Sequence, residues 1–299
     1  MDTAYLGALA AVATALLWTL SSMAWTSAGR EIGALACSFL RLIVTIAVME
    51  LFGYATRGAW LPVNSDPQAW VALGISGFFG FFVCDLLLFE SFLLIGPRLS
   101  LLIHSLSPPM SALISAFYLG DRLEPIHWLG MAVTLSGVVW VVLERPDSSE
   151  EPHERPHFLR GVAMALTATI SASVGYVLAK QGMGNCDPVD ATLIRILGAM
   201  TGYVLLLTLL WRWPRIWQAA QHRRAMLTVC VGAVIGPFLG VTLCMVALRY
   251  SPVGVAVTII STMPVLILPF AIIVHKEKVT SRAAVGALVS VAGVVLLVL

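Results

Sequence analysis

The chain has 299 residues, of which 59% are hydrophobic and 11% charged, with a net charge of +2 and a mean hydropathy of +0.91. Soluble domains carry about 25% charged residues, so this chain lacks the charge to wet a surface of its size. A soluble enzyme and a disordered chain are excluded, and five Cys without a C-x-x-C give neither a disulfide scaffold nor a zinc centre. What remains is an all-α polytopic membrane protein. The small net charge gathers into no nucleic-acid-binding stripe, and no motif asks for a cofactor or a metal.

A spanning helix needs about 20 mostly apolar residues. Ten stretches qualify in chain order: Tyr5–Ser27, Gly33–Thr56, Ala69–Ile95, Pro97–Leu119, Pro125–Leu143, Leu159–Gly182, Pro188–Trp211, Ala225–Tyr250, Pro252–Val274 and Arg282–Leu299. The first has no basic segment before it, which reads as a retained helix rather than a cleaved leader. Between the fifth and sixth lies Glu144–His157, ERPDSSEEPHERPH, whose Pro and acidic content cannot form a core. The expected organisation is residues 1–143, a charged linker over 144–158, and residues 159–299.

A linker at the midpoint prompts a search for an internal repeat. Placing Gly7 on Gly161 puts Arg41 on Arg195 without a gap. Placing Pro97 on Pro252 puts Gly77 on Gly232 and Pro109 on Pro264, and one more inserted residue matches Asp121 to Glu277, Gly130 to Gly286 and Gly137 to Gly293. Eight matched pairs in one order are hard to produce by chance. An odd number of helices per half places the second half upside down relative to the first. Inverted repeats of this kind mark secondary transporters, with the site at the repeat interface. The expected fold is therefore ten transmembrane helices arranged as two inverted five-helix repeats.

The half-pattern resembles the drug/metabolite transporter superfamily in its ten-helix EamA-like branch. The resemblance is carried by Leu17-Trp18, Phe39-Leu40-Arg41, the segment from Pro97 through Pro109, Leu119-Gly120-Asp121-Arg122-Leu123, Gly130 and Gly137. In the second half it is carried by Arg195, Pro252, Pro264, Glu277, Gly286 and Gly293. Members usually have Glu where this chain has Asp121. The resemblance implies a central cavity surrounded by helices 1–4 and 6–9, with helices 5 and 10 peripheral. It also implies export of a small metabolite across the cytoplasmic (inner) membrane by a multi-pass monomer or homodimer, and names no substrate.

Orientation is contested. Apart from Arg41 and Arg195, which lie deep in their spans, twelve Lys and Arg fall in or beside the loops after odd-numbered helices, against Arg57, Arg122, Lys180 and Arg249 on the other side. The positive-inside rule then puts both termini outside the cytoplasm, whereas ten-helix relatives have theirs inside.

Ionisable residues at membrane depth suggest function by default. These are Arg41, Asp85, Glu90, His104 and Arg195, with Glu50 and Lys180 nearer helix ends, where snorkelling explains them. Arg41 and Arg195 are repeat mates, which favours a structural or gating role. Asp85, Glu90 and His104 face Gly240, Met245 and Ile259 in the repeat, so symmetry breaks at these polar sites. Asp85 and Glu90 lie about 140° apart on an α-helix and cannot form a close dyad. Asp85 shares its face with Phe78, Phe81 or Phe82, Phe89 and Phe92, and suits an organic cation. A buried carboxyl or an imidazole also suits proton coupling, with Asp85, Glu90 and His104 as carriers. On this reading Asp85→Asn abolishes transport without loss of folding.

Polar stripes run along three further helices: Thr14, Trp18, Ser21 or Ser22 and Trp25; His104, Ser107, Ser111 and Ser115; and Thr169, Ser173, Tyr176 and Lys180. They are either packing seams with interhelical hydrogen bonds or cavity walls. The substrate-binding candidates are Trp18, Asp85, Phe89, His104, Ser107, Ser111, Tyr176 and Thr262. Pro109 and Pro264, with Pro108 and Pro269, remove backbone donors mid-span and kink their helices. Such paired kinks suit helices that bend to open one side.

The leading function is a secondary transporter working by alternating access, as exporter or exchanger of a small metabolite or organic cation. Proton coupling is one option. A lipid flippase on the same fold is the alternative. Gly74-Ile75-Ser76-Gly77, with His104 as base, would be the only route to an intramembrane serine hydrolase. Its residue types are equally those of helix packing.

Overall fold

The computed structural model describes residues 3–58, 60–62, 66–95, 97–144, 157–263, 265–266 and 281–298. Pro264, Pro269, Glu277 and most of the charged linker lie outside them. The described residues are helical and contain no strand. In chain order the helices are α1 (Thr3–Ile32), α2 (Ala34–Arg57), α3 (Pro67–Gly77), α4 (Cys84–Ile95), α5 (Pro97–His104), α6 (Ser107–Tyr118), α7 (Pro125–Glu144), α8 (Phe158–Met183), α9 (Pro188–Leu209), α10 (Trp213–Ala220), α11 (Arg223–Ala233), α12 (Val241–Tyr250), α13 (Val253–Ile260) and α14 (Ser281–Val298).

Among the described residues, six helical runs are long and apolar enough to cross a membrane: Tyr5–Ile32, Ala34–Thr56, Pro67–Ser91, Phe158–Met183, Pro188–Leu209 and Arg223–Tyr250. Pro125–Val141 and Ala284–Val298 are shorter apolar helices. The stretch expected over Pro97–Leu119 is two helices, α5 and α6, interrupted at Ser105-Leu106 just before Pro108-Pro109. Pro108 and Pro109 cannot donate to the preceding turn, so the chain breaks and restarts with proline in its first turn, where no donor is missed. Capping is explicit elsewhere. Asp66 accepts from the Gln68 N–H at 3.0 Å and Asp187 from the Val189 N–H at 2.8 Å, each with proline next in line.

Two π-helical turns depart from the regular geometry assumed for the sequence. They are Phe78–Val83, between α3 and α4, and Val234–Gly240, between α11 and α12. The register that aligns Gly77 with Gly232 brings the two turns onto each other. In the second, Pro237 sits inside the helix, and the wider turn absorbs its missing donor and ring. In the first, the Phe side chains are redistributed. Phe82 stacks edge-on against Tyr203 of α9 at 5.0 Å and packs on Phe78 at 5.1 Å. The single aromatic face expected around Asp85 is therefore split.

Helices of the two halves meet through close backbone contacts. A Cβ at Gly77 would run into the Arg195 carbonyl, and one at Gly198 into the Gly74 carbonyl. Along α8, Gly182 faces Ala72 and Leu73 while Gly175 faces Ser76 and Gly80, so α3 and α8 run antiparallel. Helices α7 and α14 are antiparallel too: Gly130 faces Gly293, and Gly137 faces Gly286 and Ser290. Interhelical hydrogen bonds reinforce the first seam. Ser76 Oγ donates to the Gly175 carbonyl at 2.6 Å and Ser171 Oγ to the Phe79 carbonyl at 2.8 Å, each worth about 0.6 kcal/mol in a membrane. Two apolar clusters complete the interior. In one, Ala8 and Ala11 meet Leu248 and Val253; in the other, Phe39 and Leu42 meet Tyr203 and Leu207. The outer surface is apolar along the spans, with Leu9, Leu51, Val71, Leu205 and Leu227 exposed, as lipid contact requires.

Gly77→Ala is expected to force α3 away from α9, lowering stability by about 1–3 kcal/mol. Gly74→Ala, whose Cβ would meet nothing within 4 Å, is expected to be neutral or to stabilise by up to about 1 kcal/mol. Thermal unfolding of the two variants in detergent checks the contrast.

Candidate functional site

The π turns bracket a cavity of about 150 Å³. Gly80 and Phe81 line it from the first turn, and Pro237 from the second. Both halves of the chain contribute walls: Trp18, Trp25, Arg41, Asp85 and His104 come from the first, and Tyr176, Arg195 and Val241 from the second.

The charges on these walls are handled differently. The Arg41 guanidinium, only 6% exposed, pairs through Nη2 with Asp85 Oδ2 and lies over the Trp25 ring at 4.5 Å. Arg195, 2% exposed, stacks over Phe81 at 4.8 Å and points Nη1 at the Met245 sulfur, 3.5 Å away. His104 Nδ1 lies 3.4 Å from Thr169 Oγ1. That hydroxyl already donates to the Ala165 carbonyl, so the imidazole nitrogen is the donor of the pair.

Of the residues singled out from the sequence, Trp18, Asp85, His104 and Tyr176 stand on the wall, and so do Arg41 and Arg195. Phe89, Ser107, Ser111 and Thr262 do not line it. Ser107 Oγ meets Ser173 Oγ at 3.3 Å, Thr262 turns back to the Ile259 carbonyl at 2.7 Å, and Ser111 is fully buried against the packing. Glu90 lies on the exposed face of α4, off the cavity, as its angular distance from Asp85 requires. Pro109 starts α6, and Pro264 falls outside the described residues.

The polar stripes divide residue by residue. Their hydroxyls mostly serve packing: Thr14 donates to the Ala10 carbonyl at 2.8 Å, Ser21 to Trp18, and Ser173 to Thr169. Their rings reach the cavity. Ser76, the candidate nucleophile, is buried with its proton given to Gly175, so it belongs to the seam between α3 and α8. Lys180 is not snorkelling. It binds Asp121 at 2.9 and 3.1 Å and the Ser251 carbonyl at 3.2 Å, tying the loop after α6 to α8 and the start of α13.

Sequence reasoning missed the Arg41–Asp85 pair, although two opposite charges at depth in neighbouring stretches were the signal for it. It also missed Pro237 and Phe81, which are ordinary apolar residues until the π turns aim them inward.

The profile of the EamA-like transporter family matches residues 5–143 and again 159–299. The chain belongs to this family. It is 31% identical over 156 residues to the aromatic amino acid exporter YddG of Ancylobacter novellus, a match covering 50% of this chain and 51% of that protein. The chain thus matches about half the length of that relative. A solved crystal structure superposes with a TM-score of 0.77 at 22% identity, covering 97% of this chain and 94% of the other, which establishes likeness of fold. Family and relative together point to a membrane transporter of small metabolites.

The Arg41–Asp85 pair changes the expectation for Asp85→Asn. Removing one partner of a buried pair strands the other charge, at a cost of about 3–5 kcal/mol. Asp85→Asn is therefore expected to lower the melting temperature sharply, and Arg41→Gln/Asp85→Asn to restore most of the loss. Asp121 gives a second test. Burial pushes its carboxyl up, but hydrogen bonds from Ser115, Lys180 and the Val253 N–H, with the Lys180 charge, hold it below its ordinary 3.8. A carboxyl depressed by folding stabilises fully above its unfolded pKa and loses that contribution as pH falls through the folded one. The melting temperature should fall as pH drops below about 4, with a smaller fall in Asp121→Asn.

Proposed function

We propose that the chain is a secondary transporter that exports or exchanges a small metabolite by alternating access. Its two five-helix halves, 1–143 and 159–299 joined by the 144–158 linker, would lie inverted in the membrane as ten spans. The observation that carries this reading is the charged aromatic cavity to which both halves contribute walls. The antiparallel pairing of α7 with α14, in which Gly130 meets Gly293, the repeat mate of Gly137, and Gly137 meets Gly286, the repeat mate of Gly130, supports the inversion. The interruptions after α5 and after α13 fall at matching positions of the repeat to within a residue and would give each half a helix that can bend. In this cycle the halves rock about the cavity, exposing it to one side and then the other.

Amino acids with apolar side chains are the first substrates to test. The rings of Trp18, Trp25, Phe81 and Tyr176 suit an aromatic side chain, and a relative over half its length is an exporter of aromatic amino acids. The Arg41–Asp85 pair is a gating element on this reading, because a solute or proton that engages Asp85 competes with Arg41. His104 is the remaining candidate for proton coupling, while Glu90, outside the cavity, has no part in it. Membership of a transporter family supports a non-enzymatic role in the cytoplasmic membrane.

Proteoliposomes carrying the purified protein and loaded with unlabelled phenylalanine or tryptophan should accumulate the labelled amino acid by counterflow. Trp18→Ala is expected to lower the rate about tenfold while the protein remains folded, the size expected for loss of one aromatic contact of 1–1.5 kcal/mol. Vesicles that scramble labelled lipid and move no amino acid, amine or nucleoside would overturn the reading.

A further inference from the structure

Resting on the transporter reading, we infer that Arg195 is the carboxylate-binding residue of the cavity, so that the transported solute carries a carboxylate. The two buried arginines are repeat mates with opposite circumstances. Arg41 has its acid in Asp85. The residue in the repeat register of Asp85 is Gly240, and no carboxylate among the described residues pairs with Arg195. Its surroundings are a phenyl face, a thioether and Tyr176, and its Nε, like that of Arg41, has no hydrogen-bond partner.

A guanidinium presents five donors and favours bidentate pairing with a planar oxyanion. Arg195 uses one of these donors on a weak sulfur acceptor and is 2% exposed. Beside His104, the cavity wall then carries two guanidinium groups and one carboxylate, a residual charge of +1 from these three groups facing an aromatic-lined space. A ligand carboxylate supplies the missing anion. The same position would take a free inorganic anion, and the test separates the two.

The purified, detergent-solubilised protein is titrated calorimetrically with four probes: phenylalanine, 3-phenylpropionate, phenethylamine and chloride. The first two carry the carboxylate and the third only the ring and amine. Phenylalanine and 3-phenylpropionate should bind and phenethylamine should not. Arg195→Gln should weaken the two carboxylates by roughly ten- to a hundredfold, the loss expected for a charge-assisted bond, and Arg195→Lys should regain part of it. Arg195→Gln also alters packing, so Met245→Glu is the second variant. It is near-isosteric, keeps Arg195, and places an acid where the thioether now touches the guanidinium. It should abolish carboxylate binding while retaining a cooperative melt.

Equal binding of phenethylamine and phenylalanine, or undiminished carboxylate affinity in Met245→Glu, overturns the assignment, as does wild-type protein that binds neither carboxylate. Chloride binding that Arg195→Gln removes, with no carboxylate binding, assigns the site to an inorganic anion and equally overturns it. Failure of the transporter reading looks different: carboxylates bind at Arg195, yet proteoliposomes show no counterflow of any solute.

Discussion

A guanidinium at membrane depth has to be solvated by the protein, and the two that this chain buries organise what surrounds them. Arg41 is 6% exposed and Arg195 2%. The first is satisfied by a carboxylate and an indole face, the second by a phenyl face and a thioether. Lipid cannot provide such partners, so the helices that bear them must pack tightly enough to hold each group in one place. The packing supplies this through glycine. Helix α3 lies against the backbone of α9 at Arg195 itself, because Gly77 has no Cβ to hold it away. The position of the charge and the closeness of the helices are one constraint.

Close packing alone would leave no cavity. The π turns open one by giving each half a local widening at matching positions of the repeat register, so that the halves meet around a gap. Gly80 and Phe81 of one turn and Pro237 of the other stand on its wall. A π turn costs stability relative to a regular helix and recurs at sites of function. Here its cost is borne twice, at positions related by the repeat. The seams either side are dense with hydroxyls that donate to facing or local carbonyls.

Much of the architecture was legible because glycine, proline and buried charge leave marks that composition cannot blur. Arg41 falling on Arg195 without a gap revealed the repeat, and the π turns later fell on the register that aligns Gly77 with Gly232. The family resemblance followed from the same residues. The angular separation of Asp85 from Glu90 was also legible, since α4 is regular over both. The π turns themselves were not. Phe78 through Phe82 reads as an even helical face only if each residue turns 100°, and one wide turn redirects Phe82 to Tyr203 and Phe81 to Arg195. The serine stripes were ambiguous in principle. A hydroxyl bonded to the carbonyl one turn back, as in Ser173, has the same sequence signature as one aimed at a solute. Lys180 was read as a snorkelling side chain because its partner, Asp121, is distant in sequence and sits in a loop.

The asymmetry of the cavity has a physical consequence within this nearly symmetric scaffold. If both halves carried an arginine with its own acid, the cavity would be neutral and self-satisfied, and a bound solute would have to displace an internal ion pair. If neither arginine had one, two like charges would face each other across an apolar gap, which no dielectric inside the membrane could screen. One paired and one unpaired arginine is the arrangement that leaves a single net charge. On the transporter reading, a single carboxylate on the solute would neutralise that charge. The scaffold supplies paired positions, and the substitution of Gly240 for an acid on one side turns a structural element into a polarised one. Glycine there also lets Trp18 pack against the helix, since a Cβ at Gly240 would lie 2.6 Å from its indole. The aromatic wall and the missing acid therefore come from the same residue.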